Sequence, residues 1–518
     1  MNKLRNTLFT VFTLLASTAW SQEPTPGYNH KIPEKIMTPD RVETRIGALE
    51  FFDGMPLPGT VDKLYDNLLL MRGVDTFLNG IPATSIEGLR EGHVELGIET
   101  SNHFMIMDEL CDSSPLFLTA NTDTVYCSGF LHLDKDGPTV VEIPPGCGPG
   151  TVNDAYFRFV VDMGIPGPDR GQGGKYLILP PDYEGDLEGP IGGKTATVEG
   201  EEYFVVQSSS YVNWVILRGF LVDGKPDASN KMFKEGLKVY PLAKKADPPV
   251  MKFTSGSRRS WNTIHANNYE FYEELHTVID REPVGLLDPQ TRGIFASAGI
   301  VKGRPFSPTE EQKRILTEAV AIGNATARAI AFRPRLEGAY FYENSGWYTG
   351  FVGGDYRWLI EDGKGGRNLD ARTFFFYVAT VNTPAMVMKM VGKGSQYAMN
   401  STDSKGEYLD GAKNYTLNIP ANVPAKDFWS VVIYDPQTRS ELQTDQTFPS
   451  RNNKRDNLIE NQDGSVTLYF GPEAPKGKES NWIQTVPGKG WFALLRLYGP
   501  LEPWFDKSWR PGEFEALN

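Results

Sequence analysis

Two regions of the chain repeat the same series of strand-like signals, and this repeat constrains the fold more than any other feature. In the first region the series is Val141-Glu142-Ile143-Pro144, a strand ending at Asp162, Tyr176-Leu177-Ile178-Leu179-Pro180 and Ile216-Leu217-Arg218. In the second it is Leu417-Asn418-Ile419-Pro420, a strand ending at Asp435, Leu468-Tyr469-Phe470-Gly471-Pro472 and Leu494-Leu495-Arg496. The common order and nearly equal spans predict two modules of similar topology, with Arg218 and Arg496 in matching places. The alternative is a chance recurrence of common strand patterns.

The repeated regions consist of short strand patterns that turn residues separate. Antiparallel modules of about 100 residues with this pattern are typical of β-sandwiches and jelly rolls. We therefore predict a mainly β protein with helical parts, in which two jelly-roll or sandwich-like antiparallel modules follow one another. The predicted segments are a helical lead-in at 34–110, the N-terminal β module at 111–250, a helical subdomain at 256–335, a connecting region of unassigned structure at 336–411 and the C-terminal β module at 412–510.

Helix-start signals predict three helices in the lead-in and a capped helix in the middle of the chain. The signals are Thr38-Pro39, with Val42, Ile46 and Leu49 on one face, then Thr60, then Thr84 with Glu87, and in the middle Ser307-Pro308-Thr309-Glu310. The second helix is expected to end near Gly80 and Pro82, and the middle helix at Pro334.

The first residues have the pattern of an export signal. Lys3 and Arg5 precede a short apolar run, and the small residues Ala19 and Ser21 stand where a signal peptidase cleaves. We expect residues 1–21 to be removed and the mature protein to be periplasmic or extracellular. The alternative is a retained N-terminal membrane anchor. No later stretch reaches about 18 uninterrupted apolar residues, so no membrane insertion is expected after cleavage.

The charge and the motifs exclude several classes of function. The formal net charge is −13, which repels nucleic acid and anionic lipid. A nucleophile elbow, a P-loop and a dinucleotide fingerprint are absent from the sequence, so no cofactor is expected. The six histidines have no tight ligand spacing, and of these only His132 with Asp134 suggests a metal site, which we do not expect.

Three cysteines, Cys111, Cys127 and Cys147, leave at least one thiol unpaired. An exported protein can form disulfides, but a chain of this size does not need one to fold. We expect no required disulfide, and the spacing leaves open whether any two of the three pair.

The strand-rich regions also carry a family resemblance. The run Phe428-Trp429-Ser430-Val431-Val432-Ile433-Tyr434-Asp435, with Asn461-Gln462-Asp463-Gly464, Asn481-Trp482-Ile483 and Leu495-Arg496-Leu497-Tyr498-Gly499-Pro500, resembles the domain of unknown function 1214. The run Asn121-Thr122-Asp123-Thr124-Val125-Tyr126, followed by Gly173-Gly174-Lys175-Tyr176-Leu177-Ile178-Leu179-Pro180-Pro181, resembles its usual partner, domain 1254. The resemblance implies jelly-roll-like β modules with a helical subdomain between them, and it implies no activity.

The densest group of polar residues lies in the second of these motifs. Asp123 and Tyr126 are the candidate catalytic residues, and Asn121, Thr124 and Arg158 are candidate binding residues. A carboxylate beside an amide can position a water or a sugar hydroxyl. The alternative is an Asx-type turn closed by a tyrosine.

Two functions remain open. One is a hydrolase-like enzyme acting on a glycan or another small polar ligand, for which the many aromatic side chains offer stacking surfaces. The other is a non-enzymatic binding or assembly protein that uses its tandem modules as a surface. A pocket carboxyl with a strongly raised pKa favours the enzyme, and a large flat apolar patch favours assembly. Homo-oligomerisation is compatible with both.

Overall fold

The computed structural model describes residues 32–187, 189–198 and 200–517, so the predicted signal at 1–21 lies outside the described residues. The chain divides into two compact units, Met1–Leu68 and Leu69–Asn518. Helix and strand each account for 27% of the structure. The helices are α1 (Pro58–Glu95), α2 (Leu133–Asp136), α3 (Asp227–Gly236), α4 (Glu270–Arg281), α5 (Pro289–Ser297), α6 (Glu310–Phe332), α7 (Leu369–Val378), α8 (Pro384–Val387) and α9 (Glu502–Phe505), with 3-10 turns at Glu34–Ile36, Leu242–Lys244, Val284–Leu286, Glu361–Gly363 and Glu479–Asn481.

The first predicted helix is wrong, because residues 41–56 form an antiparallel sheet. Its strands are β1 (Arg41–Thr44), β2 (Gly47–Phe52) and β3 (Met55–Pro56), paired in that order. Gly47 has a φ of +94°, which closes the turn between β1 and β2. Val42 and Leu49, expected on one helix face, instead face each other across the two strands.

The second and third predicted helices are one helix, α1, which continues through Pro82. The hydroxyl of Thr84 donates back to the carbonyl oxygens of Gly80 and Ile81 instead of capping a new helix. Phe77, Ile81 and Ile86 are fully buried on either side of Pro82. Burial of these side chains therefore outweighs the hydrogen bond that proline removes from the helix.

The N-terminal module is a sandwich of two sheets around one apolar core. Its strands are β4 (His103–Ile106), β5 (Val125–His132), β6 (Thr139–Ile143), β7 (Gly150–Asp154), β8 (Phe159–Met163), β9 (Gly174–Leu179), β10 (Lys194–Val198), β11 (Glu201–Gln207), β12 (Val212–Gly219), β13 (Lys238–Pro241) and β14 (Lys252–Ser255). One sheet has the order β14-β4-β5-β12-β7-β8, and the other has the order β10-β11-β9-β6-β13.

The C-terminal module is a smaller sandwich with its own core. Its strands are β15 (Ser395–Asn400), β16 (Tyr415–Ile419), β17 (Ala425–Tyr434), β18 (Ser450–Asn452), β19 (Val466–Gly471), β20 (Trp482–Gln484), β21 (Phe492–Pro500) and β22 (Phe514–Ala516). The sheet orders are β15-β21-β17-β18 and β20-β19-β16-β22.

The predicted repeat is confirmed by the strand order. The run β5-β12-β7-β8 corresponds to β15-β21-β17-β18, and β11-β9-β6-β13 corresponds to β20-β19-β16-β22. Each module also contains a parallel pair in the same place, β11 with β9 and β20 with β19, and within the corresponding runs the other neighbours are antiparallel. The N-terminal module has a further parallel pair, β14 with β4, outside the repeated run. One sequence signal was misaligned: the strand ending at Asp162 is β8, whereas the strand ending at Asp435 matches β7.

Arg218 and Arg496 occupy matching positions. Arg218 on β12 faces Tyr126 on β5, and Arg496 on β21 faces Tyr397 on β15. In each module the guanidinium carbon lies over the ring of the facing tyrosine, at 5.5 Å and 5.9 Å from the ring centroid. The repeat therefore extends from strand order to individual side chains.

The outer faces of the two corresponding sheets share a third core with the helices. Trp214 and Ile216 of β12 and Phe492 and Leu494 of β21 belong to this core, together with the helix α7. The helix α7, in the predicted connecting region, is buried along its whole length from Ala371 onwards. Helix packing thus holds the two modules against each other.

The middle helix α6 begins two residues later than its predicted start. Thr309 is the N-cap, and it exchanges hydrogen bonds with Gln312 in a capping box. By length and mean hydropathy, α6 is the helix among the described residues that could cross a membrane. Leu316, Ala319 and Ala327 on one of its faces are fully buried, and α6 packs against α7, as a core helix does.

Candidate functional site

A cavity of about 470 Å³ lies between the two modules. Its walls come from the loop before β5, the strands β8 and β12, the segment around α8 and the C-terminal module. A volume of this size is in the range of sites that bind small molecules. Of the candidate residues from the sequence, Asn121, Asp123 and Thr124 line this cavity.

Asp123 connects the modules. Its carboxylate accepts hydrogen bonds from Ser430 Oγ at 2.5 Å, Asn452 Nδ2 at 2.9 Å and Tyr498 Oη at 3.1 Å. Arg455 Nη1 lies 4.0 Å from Oδ1 of the same carboxylate. The side chain is buried, and four groups of the C-terminal module surround it. These bonds occupy the carboxylate. A catalytic role for Asp123 stays a prediction.

Asn121 organises the loop before β5 as an Asx-type turn. Its Oδ1 accepts hydrogen bonds from the backbone N–H groups of Asp123 and Thr124 and from the Thr124 hydroxyl. Its backbone N–H and its side-chain amide both donate to the hydroxyl of Tyr126, at 3.2 Å and 2.7 Å. The segment therefore forms the Asx-type turn that the sequence analysis gave as the alternative.

Tyr126 is the second residue of β5, and it does not line the large cavity. It lines a smaller cavity of about 60 Å³, which shares Asn121, Arg218 and Tyr397 with the large one. Burial raises the pKa of Tyr126 to about 12. The phenol therefore stays protonated at neutral pH.

Arg158 lies away from the cavity. Its Nε donates to Asp154 Oδ2 at 2.7 Å, and its Nη2 donates to Ser209 Oγ at 2.8 Å. Its partner Asp154 is four residues earlier in the chain. The pair closes the turn between β7 and β8, and a binding role for Arg158 stays a prediction.

Asp162 is a cavity residue that sequence reasoning did not select. It lies on β8, is buried, and accepts a hydrogen bond from Thr383 Oγ1 at 2.6 Å. Burial raises the pKa of Asp162 to about 6, although the Thr383 hydroxyl and the charge of Arg218 both lower it. The sequence shows Asp162 at the end of a strand signal, but no local pattern indicates that α8 and the C-terminal module lie beside it.

Other buried carboxyls with raised pKa values lie outside the central cavity. Burial also raises the pKa of Glu274, Glu282 and Glu441 among the described residues, but none of the three lines the central cavity. Glu282 borders an apolar groove of about 380 Å³ beside α5, where it accepts backbone hydrogen bonds from Tyr211 and Val212. Asp162 is therefore the titratable carboxyl that the central cavity offers to a ligand.

Arg218 lines both cavities and is half-buried. Its hydrogen bond to the carbonyl oxygen of Pro149 is long, at 3.4 Å. The guanidinium carbon lies over the ring of Tyr126, 5.5 Å from the ring centroid. Arg218 can therefore bind an anionic group without breaking a strong hydrogen bond of the fold.

Among the described residues, the central cavity offers neither a group of metal ligands nor a reactive thiol. Among the described residues, no group of three or more histidine, cysteine, aspartate or glutamate side chains is placed to hold a metal ion. Cys111, Cys127 and Cys147 are all buried with free thiols. Burial raises the thiol pKa of each, which makes them poor nucleophiles at neutral pH.

The fold and the cavity together define a tandem β-sandwich protein with a site of small-molecule size between its modules. Residues 101–241 match the family described as protein of unknown function DUF1254, and residues 394–502 match the family described as protein of unknown function DUF1214. The chain therefore matches both families, with the DUF1254 region N-terminal to the DUF1214 region. Both the cavity and its main polar groups lie within the matched regions and the segment that joins them.

Two solved structures are similar. The VPA0106 protein from Vibrio parahaemolyticus is 17% identical, covers 87% of this chain and 100% of its own, and has a TM-score of 0.52. An uncharacterized protein from Burkholderia cenocepacia is 13% identical, covers 89% of this chain and 97% of its own, and has a TM-score of 0.40. No curated protein matches the chain. The first likeness shows the fold alone.

Proposed function

We propose that this chain is an exported, hydrolase-like enzyme that binds a small polar molecule in the central cavity and uses Asp162 as a general acid or base. The observation that carries the proposal is a buried carboxyl with a pKa near 6 on the wall of that cavity. A group with a pKa near the working pH is available in both protonation states, which acid–base catalysis requires.

The size of the cavity supports a small ligand. A volume of about 470 Å³ suits a small polar molecule or the end of a glycan more than the middle of a polymer. Phe428 and Tyr498 stack at the cavity, with ring centroids 4.0 Å apart, and add apolar surface to a polar wall. The non-enzymatic alternative uses the same cavity for binding without turnover.

The test is an unbiased thermal-shift screen of small polar metabolites and saccharide fragments, followed by mass spectrometry of each hit after incubation. A ligand at 100 times its Kd stabilises the folded protein by about 2.7 kcal/mol. We expect Asp162→Asn to keep binding, because the amide oxygen still accepts from Thr383, and to lose turnover by about 100-fold or more. The wild-type kcat/KM should change with an apparent pKa near 6.

Asp186→Asn is the matched control, since Asp186 is exposed and does not line the cavity. Turnover in Asp162→Asn equal to that of the control would remove Asp162 from the mechanism. Hits that bind wild-type protein and are never converted would favour the binding protein over the enzyme.

Export is a separate part of the proposal, and it rests on the signal-like pattern of residues 1–21. The intact mass of the chain from the exported fraction should correspond to a start at Gln22. A mass that retains residues 1–20 in that fraction would remove the export signal and favour a membrane anchor.

A further inference from the structure

The charge around the central cavity is opposite in sign to the charge of the whole chain. The chain has a formal net charge of −13. The cationic side chains that line the cavity are Arg218, Lys393, Lys426, Lys454 and Arg455, and the anionic ones are Asp123, Asp162 and Asp427. An acidic protein thus collects an excess of cations at one concave surface.

The acidic side chains of the cavity offset part of this charge, but five cations still outnumber three carboxylates. Hydrogen bonds from Ser430, Asn452 and Tyr498 already surround the Asp123 carboxylate. Burial raises the pKa of Asp162 to about 6, so part of its population is uncharged in mildly acidic solution. The remaining acid, Asp427, is exposed on the rim.

The cations differ in how free they are. Arg455 is committed to the fold, because its guanidinium donates to Thr122 and Ser450 and pairs with Asp456. Lys393, Lys426 and Lys454 are exposed, and none of them belongs to the ion pairs found in the described part of the chain. These three lysines come from three separate segments of the C-terminal module and meet at one rim.

Arg218 is the inner cation, contributed by the N-terminal module. It is half-buried, the one hydrogen bond of its side chain among the described residues measures 3.4 Å, and it also lines the smaller cavity beyond. A guanidinium in this state matches a carboxylate or phosphate group better than it matches a neutral hydroxyl.

We propose that the ligand of the central cavity is a small anion, whose carboxylate or phosphate group binds Arg218 while Lys393, Lys426 and Lys454 attract it to the entrance. This inference rests on the proposed function for the location of the site and adds the class of ligand. The low dielectric constant of the cavity walls strengthens the attraction, and added salt weakens it at the rim.

Binding of simple probes to the full chain tests the inference. Glutarate and inorganic phosphate separate the carboxylate source from the phosphate source, and glutaramide is the neutral match for glutarate. Isothermal titration calorimetry at low ionic strength should detect at least one anion and give a much weaker or no signal for glutaramide. Arg218→Met should weaken binding of that anion by about tenfold or more.

A second variant keeps the test independent of Arg218. The triple substitution Lys393→Gln, Lys426→Gln and Lys454→Gln should weaken anion binding several-fold and reduce its salt dependence. The control is Lys364→Gln, Lys405→Gln and Lys476→Gln, three exposed lysines outside the cavity that change the net charge by the same amount. The control should bind like the wild type.

The outcomes are distinct. Equal binding of glutaramide and glutarate, no binding of either anion, or a triple variant that binds like its control would overturn the inference. Turnover of neutral hits through Asp162 without anion binding would overturn it and leave the proposed function intact. Anion binding that needs Arg218, with no turnover that depends on Asp162, would support the inference and overturn the enzyme.

Discussion

Arg218 and Arg496 occupy the same position in two modules of the same topology, yet their surroundings differ. Arg496 is 3% exposed and donates to the Tyr434 hydroxyl and to the carbonyl oxygens of Thr119 and Ala120. Arg218 is half-buried, with one long hydrogen bond, and it faces a cavity. One arginine therefore holds the fold together, while its counterpart is free for a ligand.

The difference arises in the segments that precede the matching strands β5 and β15. The segment before β5 crosses to the C-terminal module, where Thr119 and Ala120 cover Arg496 and Asp123 bonds to Ser430. The segment before β15 does not cover Arg218, and its Lys393 lies at the rim of the cavity. Repetition thus provides the scaffold, and the asymmetry of these two segments leaves room for a site.

Substitution of the two arginines should give the largest contrast. Arg496→Met removes the donor of the Tyr434 hydroxyl and of the Thr119 carbonyl oxygen, while the Ala120 carbonyl oxygen keeps its hydrogen bond from Tyr434. We expect the free energy of unfolding to fall by about 3–5 kcal/mol. Arg218→Met should change it by less than about 1 kcal/mol. Urea denaturation measures the free energy of unfolding of both variants. Equal losses would show that the two arginines contribute equally to stability.

Asp123→Asn should be the next largest effect. The amide nitrogen would face hydrogen-bond donors from Ser430, Asn452 or Tyr498, so we expect a loss of about 3 kcal/mol in the free energy of unfolding. Ligand binding per folded molecule should stay close to that of the wild type. Lost binding at unchanged stability would instead make Asp123 a site residue.

Asp162→Asn should change the pH dependence of stability, because Asp162 belongs to the cavity and not to the tie between modules. Its pKa is about 6 in the folded protein and 3.8 in the reference state. The folded protein therefore binds more protons between about pH 4 and pH 6, and the contribution of Asp162 to stability falls as the pH rises through that window. The contribution of Asp162 to stability is therefore greatest below about pH 4.

The measurement is the difference in free energy of unfolding between Asp162→Asn and the wild type, at pH 4 and at pH 7. From pH 4 to pH 7, the free energy of unfolding of the variant should increase by about 2 kcal/mol relative to that of the wild type. The difference removes the contributions of other titrating groups, such as Glu274. A difference that does not vary with pH would mean that Asp162 has the same pKa in the folded and the unfolded protein.

Much of the architecture could be predicted from the sequence, because strand patterns are local. The repeat gave the two modules, three of four equivalent strands and the match of Arg218 with Arg496. The parallel pair in each module could not be predicted, since Phe204 of β11 meets Tyr176 of β9 through chain reversal by the intervening β10. Local pattern shows that a strand exists, but not which neighbour it pairs with.

The errors at α1 and α7 have one physical cause, which is burial on all sides. The helix α1 continues through Pro82 because its flanking side chains are buried. In α7 the run from Phe374 to Tyr377 is buried all round, so the sequence lacks the alternation of apolar and polar residues that marks a surface helix. Periodicity is informative only where one face meets water.

The sequence predicted only part of the site, because local patterns do not record contacts between the modules. Asn121, Asp123 and Thr124 do line the cavity, because a dense polar cluster is unusual in any sequence. Asp162 was not selected from the sequence, since its partner Thr383 lies 221 positions away. Which carboxyl is buried in a cavity depends on contacts between modules, and no pattern within a strand records them.

The smallest effect concerns the tyrosines that face the two arginines. The hydroxyl of Tyr126 accepts two hydrogen bonds from Asn121, whereas the hydroxyl of Tyr397 has no partner in the described part of the chain. Tyr126→Phe leaves two buried donors of Asn121 unpaired, so it should lower the free energy of unfolding by about 1–2 kcal/mol. Tyr397→Phe should be within about 0.5 kcal/mol of the wild type. Parallel urea titrations of the two variants measure the contrast, and a loss for Tyr397→Phe as large as that for Tyr126→Phe would mean that the tyrosines, unlike the arginines, kept equivalent roles in the two modules.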